Sequence, residues 1–241
     1  MSSRGAAVLL TCLLTVTLPL AGLAGEATHV VTGSAPLMVS ASGLAPSGGR
    51  FLVAARGMRD PRFSETVILL VVHDENGTMG LVINRPTKVP LSKALPQISW
   101  PDDPPRYLFL GGPVIPQGVS FLLRSRETPE PALRILDGVF HSGSPALLAE
   151  TAAGKAPGTE FRVFAGHAGW APGQLDGELK RGDWRVLEAQ AEDVFHEPPS
   201  EIWQELVQRA EGEWVRLHGC GPATTCSRPG GSATVLARRI R

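Results

Sequence analysis

Short apolar runs separated by turn residues recur from about residue 50 onward, and this spacing predicts a chain with many strands. The clearest run is 66–73 (TVILLVVH), which is continuously apolar and β-branched, as is typical of a strand buried on both faces. Residues 74–77 (DENG) contain an Asn-Gly pair, the strongest short signal for a hairpin turn. The pattern therefore predicts a hairpin whose second strand covers residues 78–84.

Further strands are predicted at residues 51–55, 107–110, 119–123, 138–141, 161–165 and 184–187. Residues 111–113 (GGP) are predicted as a tight turn, and 166–175 (GHAGWAPGQL) as a loop. Helices are predicted at 91–95, from the Ser144 N-cap to Gly154, from Pro172 at the first helical position, and from a Ser200 N-cap. Because the strands come as hairpins and the helices mostly arrive late, the predicted class is α+β.

The first 25 residues differ from the rest of the chain and predict a secretory signal peptide. Arg4 supplies positive charge, residues 8–18 form an uncharged apolar run, and small residues precede plausible cleavage sites after Ala24 or Ala27. The alternative is a retained membrane anchor, but the apolar run is shorter than the roughly 20 residues that a span needs. We therefore predict export, to the periplasm, and no membrane span in the mature chain.

Three segments follow the signal peptide in this interpretation. Residues 26–48 are rich in Ser, Ala, Gly and Pro and are predicted to form a flexible linker, and residues 49–217 form the folded domain. In the tail, 218–241, Cys220 and Cys226 are predicted to form a disulfide that closes a small loop, as suits an exported chain. A metal site is the weaker alternative, because His218 is the one extra ligand nearby.

Composition and charge exclude several functions. The 23 basic and 23 acidic residues cancel, so nothing in the charge favours nucleic acid as a partner. The six histidines are widely separated, and neither a metal nor another cofactor is predicted. The partner is left as a small ligand or a protein, and the oligomeric state is left open.

Three glycine-punctuated segments, 56–86, 109–114 and 164–175, resemble in their order and spacing the YqgE/AlgH family of bacterial proteins. The resemblance implies one compact domain with a mainly antiparallel, partly barrel-like sheet and flanking helices. It implies no agreed activity, although AlgH is linked by name to regulation of alginate production. Typical members are cytoplasmic and lack an export signal, so cytoplasmic location is the alternative to export.

The same segments supply the candidate ligand-binding residues. An Arg at a strand end can present its planar fork to a carboxylate or phosphate, paired glycines can expose backbone N–H groups, and a His can act as a base near neutral pH. Each also has a structural interpretation: strand capping, a carboxylate pair for the Arg, a tight turn, or a loop anchored by an aromatic ring. The candidates are Asn84, Arg85, Gly111, Gly112, His167, Trp170 and Gln174.

No catalytic residue is predicted, because the sequence shows no nucleophile–base pair. The favoured function is a non-enzymatic binding or regulatory domain. The alternative is a hydrolase or an acyl or phosphoryl transfer enzyme with a pocket between residues 84–86, 111–113 and 166–170. A third hypothesis is an envelope interaction module, for which an exposed apolar patch is the diagnostic feature.

Overall fold

In this computed structural model, residues 44–101, 105–156 and 158–217 are described. These residues form ten strands and five helices, in the order β1 (Arg50–Ala54), β2 (Val67–Asp74), β3 (Gly77–Val82), β4 (Pro86–Pro90), α1 (Leu91–Ala94), β5 (Tyr107–Leu110), β6 (Val114–Ser125), β7 (Leu133–Leu136), β8 (Val139–Ser142), α2 (Pro145–Ala152), β9 (Gly158–Trp170), α3 (Gln174–Arg181), β10 (Trp184–Glu188), α4 (Ala191–Val194) and α5 (Ile202–Leu217).

The strands form a curled half-barrel sheet. Its hydrogen-bonded order is β10-β1-β2-β3-β9-β6-β8-β7, and β4 pairs with β5 beside this path. Every pairing is antiparallel except that of β5 with β9. The predicted α+β class, with a mainly antiparallel, partly barrel-like sheet in a single domain, is confirmed.

The predicted hairpin is the pair β2–β3, and its turn closes where Asp74 faces Gly77. Residues 67–71 are buried, as the apolar run predicted, and pack with β1, β3 and β10 in the larger of two apolar cores. Helix α5 covers this core: Trp203 lies in it and donates its indole N–H to the carbonyl of Ala54 at 2.8 Å. Fully burying a large apolar side chain contributes about 1.5–3 kcal/mol, so this core stabilises the platform that carries the candidate site.

The main correction to the predicted elements concerns residues 166–170. The sequence predicted a strand ending at Ala165 and then a loop, but β9 continues to Trp170, with Gly166 at a φ of 68° and a register shift against β6 at that point. The reason is pairing on both sides: His167 faces Val114 of β6, and Gly169 faces Met79 of β3. Neighbours distant in sequence thus satisfy backbone groups that a loop would leave to water.

Smaller corrections concern prolines and caps. Pro86 begins β4, a strand that the sequence did not predict, at an edge of the pairing network where a proline is tolerated. Pro172 lies outside α3, because Gly173, at φ 73°, is the N-cap. Helix α5 begins at Ile202, two residues beyond the predicted Ser200 cap. Strand β7 and helix α4 were not predicted.

The predicted signal peptide, residues 26–43 of the predicted linker, and Cys220 with Cys226 lie outside the described residues. The described part begins at Leu44, whose side chain packs against the larger core. Within the described ranges, no helix combines the length and apolar character needed to cross a membrane.

Candidate functional site

The GGP segment lies flat against β9. The N–H of Gly111 donates to the carbonyl of Ala165 at 2.8 Å, and its own carbonyl accepts from Val82 at 2.9 Å. A Cβ on Gly111 would lie 2.3 Å from the carbonyl oxygen of Gly166, and one on Gly112 would lie 2.2 Å from the carbonyl carbon of His167. These two glycines therefore allow one backbone to cross another at a distance that no side chain permits.

The side chain of Asn84 ties together two other segments. Its Oδ1 accepts from the N–H of Val67 at 3.0 Å, and its Nδ2 donates to the carbonyl of Glu65 at 2.9 Å. Glu65 has a φ of 55°, which is uncommon for a residue other than glycine. The buried amide thus holds an unusual backbone conformation at the start of β2.

Arg85 also points to backbone. Its guanidinium donates to the carbonyls of Arg62 and Ser64, the latter at 2.9 Å, and not to the carboxylate that the structural interpretation expected. Removal from water lowers the pKa of Arg85 below its ordinary value. Asn84 and Arg85 together organise the loop that leads into β2.

A carboxylate that the sequence did not single out lies at the centre of the Trp170 environment. The Oε2 of Glu178 accepts from the indole N–H groups of Trp170 and Trp184, both at 2.8 Å. Its Oε1 accepts from Gln174 at 3.1 Å, while the Oε1 of Gln174 accepts from the N–H of Ala171 at 3.1 Å. The one available signal was the i, i+4 spacing of Gln174 and Glu178, and it does not reveal the two indoles.

Aromatic packing completes this cluster. The ring of Phe63 stacks on Trp170 with centroids 6.3 Å apart, and it meets Trp184 edge-on at 5.6 Å. Both indoles are buried, at 5% and 1% exposure. Trp170 and Gln174 are therefore brought together, and their shared partner is Glu178, which attaches α3 to the sheet.

The same strands also carry an open groove of about 450 Å³, and Trp170 is one of its lining residues. Val72 of β2, Met79 of β3, Val114 of β6 and Gly169 of β9 provide its apolar lining. Asp74 and Asn76, at the hairpin turn, line one end. Val72 and Val114 are 37% and 36% exposed, so the fold leaves this lining open to solvent.

His167 lies beside this groove. A Cβ on Gly169 would lie 3.7 Å from both Cδ2 and Nε2 of its imidazole. Partial burial lowers the pKa of His167, so the ring is neutral at neutral pH. The groove is thus bordered by a neutral imidazole on one side and by the Asp74 carboxylate on another.

Arg162 of β9 is a buried cationic side chain that the sequence did not single out. Arg162 is 6% exposed and donates to the carbonyls of Val194 at 2.8 Å and His196 at 2.5 Å, and to the carboxylate of Glu197 at 2.8 Å. Removal from water lowers its pKa, against the opposing effect of Glu197. Arg162 therefore fastens the segment before α5 to the sheet.

The predicted residues fall into four places. Asn84 and Arg85 hold the loop before β2, Gly111 and Gly112 lie on the backbone of β9, and Trp170 with Gln174 surrounds Glu178. His167 lies beside the groove, next to Gly169, and Trp170 is the candidate among the residues that line it. Within the ranges that the structure describes, no three His, Cys, Asp or Glu side chains are grouped as metal ligands.

Comparison with known sequences identifies relatives over most of the described residues. The AlgH-like family profile matches residues 51–215. A UPF0301 protein of Streptomyces avermitilis is 39% identical over 181 residues, covering 68% of this chain and 87% of the relative. A UPF0301 protein of Mycolicibacterium vanbaalenii is 36% identical over 165 residues, covering 67% and 81%.

Solved structures agree with this sequence similarity. The solution structure of the AlgH protein from Pseudomonas aeruginosa is 30% identical, with a TM-score of 0.59, and covers 80% of this chain and 98% of that chain. The crystal structure of a protein from Corynebacterium diphtheriae is 28% identical in sequence, with a TM-score of 0.59. The match covers 69% of this chain and 88% of that chain.

Proposed function

Since this chain belongs to the AlgH-like family, whose biochemical function is not established, we propose that it is a non-catalytic binding protein with a regulatory role. Its recognition surface is the groove formed by Val72, Met79, Val114 and Gly169, and its ligand is a segment of another protein. The open apolar lining of this groove is the observation that carries the proposal.

Two properties of the groove favour a protein segment over a small molecule. Small-molecule sites enclose most of the surface of their ligand, whereas this groove is open to solvent. Ile115, the neighbour of Val114, is a large aliphatic side chain that is 61% exposed. Large exposed apolar side chains beside an apolar groove favour a protein interaction site.

The remaining candidate residues support the groove as a rigid platform. Glu178 accepts hydrogen bonds from Trp170 of β9 and from Trp184 of β10. Gly111 and Gly112 allow the segment that leads to Val114 to lie on β9. Binding to a rigid surface costs less conformational entropy than binding to a surface that becomes ordered only in the complex. Structural roles for these residues and a binding role for the domain are therefore compatible.

Site-specific photo-crosslinking tests the proposal. A photoreactive amino acid at position 72, in cells that express the full chain, is expected to yield one recurrent protein adduct. The same amino acid at Val89, which is 43% exposed on β4 outside the groove lining, serves as the matched control. The adduct should disappear when Val114 is also changed to Asp.

Two outcomes would overturn the proposal. One is the absence of any adduct specific to position 72. The other is turnover of an ester or phosphoester by the purified protein that His167→Ala abolishes while the fold is retained, since this would establish the enzyme alternative.

We further propose that the protein acts outside the cytoplasm, with the leader removed after Ala24 or Ala27 and with Cys220 and Cys226 joined. The charged start, apolar run and small residues of the leader support export. Cell fractionation with N-terminal sequencing of the mature protein tests cleavage. An intact leader on cytoplasmic protein would contradict export, and two titratable thiols in exported protein would contradict the disulfide.

A further inference from the structure

We infer that the groove selects an extended segment with two aliphatic side chains, two residues apart, and a Lys or Arg at the end nearest Asp74. This inference rests on the proposed function, because it names the partner chemistry for the same surface. Three features of the groove carry it: a glycine without a structural reason, the length of the apolar row, and the sign of the charge at one end.

Gly169 is the first feature. A Cβ there would meet Val114 Cγ2 at 3.6 Å and the His167 ring at 3.7 Å, which are ordinary contact distances. Gly111 and Gly112, by contrast, leave no room for a Cβ. Glycine within a strand costs about 0.5–1 kcal/mol relative to alanine, so the fold gains nothing from it at position 169. A glycine within a strand often marks a bulge, a bend, or a place where a ligand or another backbone approaches closely. The β3–β9 register has no bulge at Gly169, and the nearest atoms to its Cβ position belong to side chains, which leaves the approach of a ligand.

The length of the apolar row is the second feature. Val72 faces Met79 across β2–β3, Met79 faces Gly169 across β3–β9, and Val114 lies beside Gly169 on β6. Neighbouring strands are about 4.8 Å apart, so a row across four strands spans about 14 Å. An extended segment rises about 3.3 Å per residue, and side chains two positions apart lie on one face. Two such side chains, about 7 Å apart, therefore fit along the row, one of them on Gly169.

The charge at one end is the third feature. Asp74 follows Val72 by two positions on β2, so it lies on the same face of the strand, and Glu75 is the next residue in the turn. Both acidic residues are exposed. Asp74 is the charged residue among those that line the groove. The row crosses the strands, whereas Asp74 lies about 7 Å from Val72 along β2, so its carboxylate lies beside the Val72 end of the row. A long Lys or Arg side chain on the partner, beyond its first aliphatic side chain, reaches sideways to this carboxylate, which sets the direction of the segment.

NMR titration of the full chain with synthetic peptides tests the inference, because chemical-shift changes report weak binding. The probe is a capped Arg-Thr-Val-Thr-Val peptide, compared with versions in which Glu replaces Arg or Ser replaces both Val residues. We expect shifts at Val72, Met79 and Gly169 with the first peptide, and at least tenfold weaker binding of the other two.

Variants make the test specific. Gly169→Ala should weaken binding about tenfold, whereas Gly57→Ala, where a Cβ meets nothing within 4 Å, should have no effect. Asp74→Lys should reverse the preference, so that the Glu peptide binds more tightly than the Arg peptide. Unchanged amide spectra outside the groove show that each variant folds.

Two results would overturn the inference without deciding the proposed function. One is binding that is indifferent to the charge at position 74 or to the size of residue 169. The other is the absence of groove shifts with any of the peptides. In both cases crosslinking from position 72 judges the proposed function independently, since it requires no assumption about the sequence of the partner.

Discussion

Replacing Glu178 with alanine removes the acceptor that two buried indoles share. The N–H groups of Trp170 and Trp184 each lie 2.8 Å from Oε2, and both rings are buried in the core beneath the groove. A buried donor that loses its acceptor costs about 1–3 kcal/mol, so two donors cost about 2–6 kcal/mol. Because Glu178 is itself half-buried, water that fills its place satisfies part of this requirement.

We therefore expect Glu178→Ala to lower the free energy of unfolding by about 2–3 kcal/mol, a large part of the 5–15 kcal/mol typical of a domain. Urea unfolding followed by far-ultraviolet circular dichroism measures this change, because tryptophan fluorescence will itself respond to the variant. The matched control is Glu150→Ala in α2, another eight-residue helix, where the side chain is exposed. The control should change the free energy of unfolding by less than about 0.5 kcal/mol.

A double-mutant cycle isolates the indole contribution. Trp170→Phe removes one of the two donors, so Glu178→Ala should cost less in that background than in the natural protein. A Glu178→Ala protein with natural stability, or a cycle without coupling, would refute the conclusion that this carboxylate attaches α3 to the sheet.

Three further predictions concern stability. Gly112→Ala should lower the free energy of unfolding by about 2 kcal/mol or more, since its Cβ would overlap the His167 carbonyl carbon; a natural urea midpoint would refute the close crossing. Arg162→Met should lower the free energy of unfolding by about 2–4 kcal/mol, because the carbonyls of the segment before α5 lose their donor. Limited proteolysis should then cut within that segment, and protease resistance equal to that of the natural protein would contradict the prediction. Burial lowers the pKa of His141 below 6.5, so the unfolded chain protonates more readily, and the free energy of unfolding should fall as pH drops below about 6.5. Thermal unfolding at pH 5–8 should show a weaker fall for His141→Gln than for the natural protein. Identical profiles for the two proteins would contradict this prediction.

Local signals in the sequence were sufficient for the elements whose partners are close in the chain. The hairpin β2–β3 was predicted because its strands and its Asn-Gly turn are contiguous, and α2 was predicted because Ser144 caps it and Pro145 begins it. The three glycine-punctuated segments predicted the family and, through it, the half-barrel. These features depend on backbone preferences that a short window of sequence expresses.

The extent of β9 depends on tertiary contacts. Glycine-rich residues 166–170 have little intrinsic strand preference, and they belong to β9 because β6 pairs with His167 and β3 pairs with residues 168–170. A loop was the reasonable prediction, since no nearby residue reveals these partners. The same limit explains why Asn84 and Arg85, predicted as ligand-binding candidates, were not recognised as the residues that hold the loop before β2.

The sequence by itself determined the class of fold, the family, the hairpin, and which residue types are unusual: paired glycines, a tryptophan among small residues, an arginine at a strand end. Tertiary structure alone decided what these residues do. It made Glu178 the shared acceptor of two indoles. It left no room for a Cβ at Gly112 but left room for one at Gly169. It also placed Val72, Met79 and Val114 in one open row. The physical reason is that hydrogen-bond partners, close approaches and exposed surfaces are set by strands that meet across long stretches of chain.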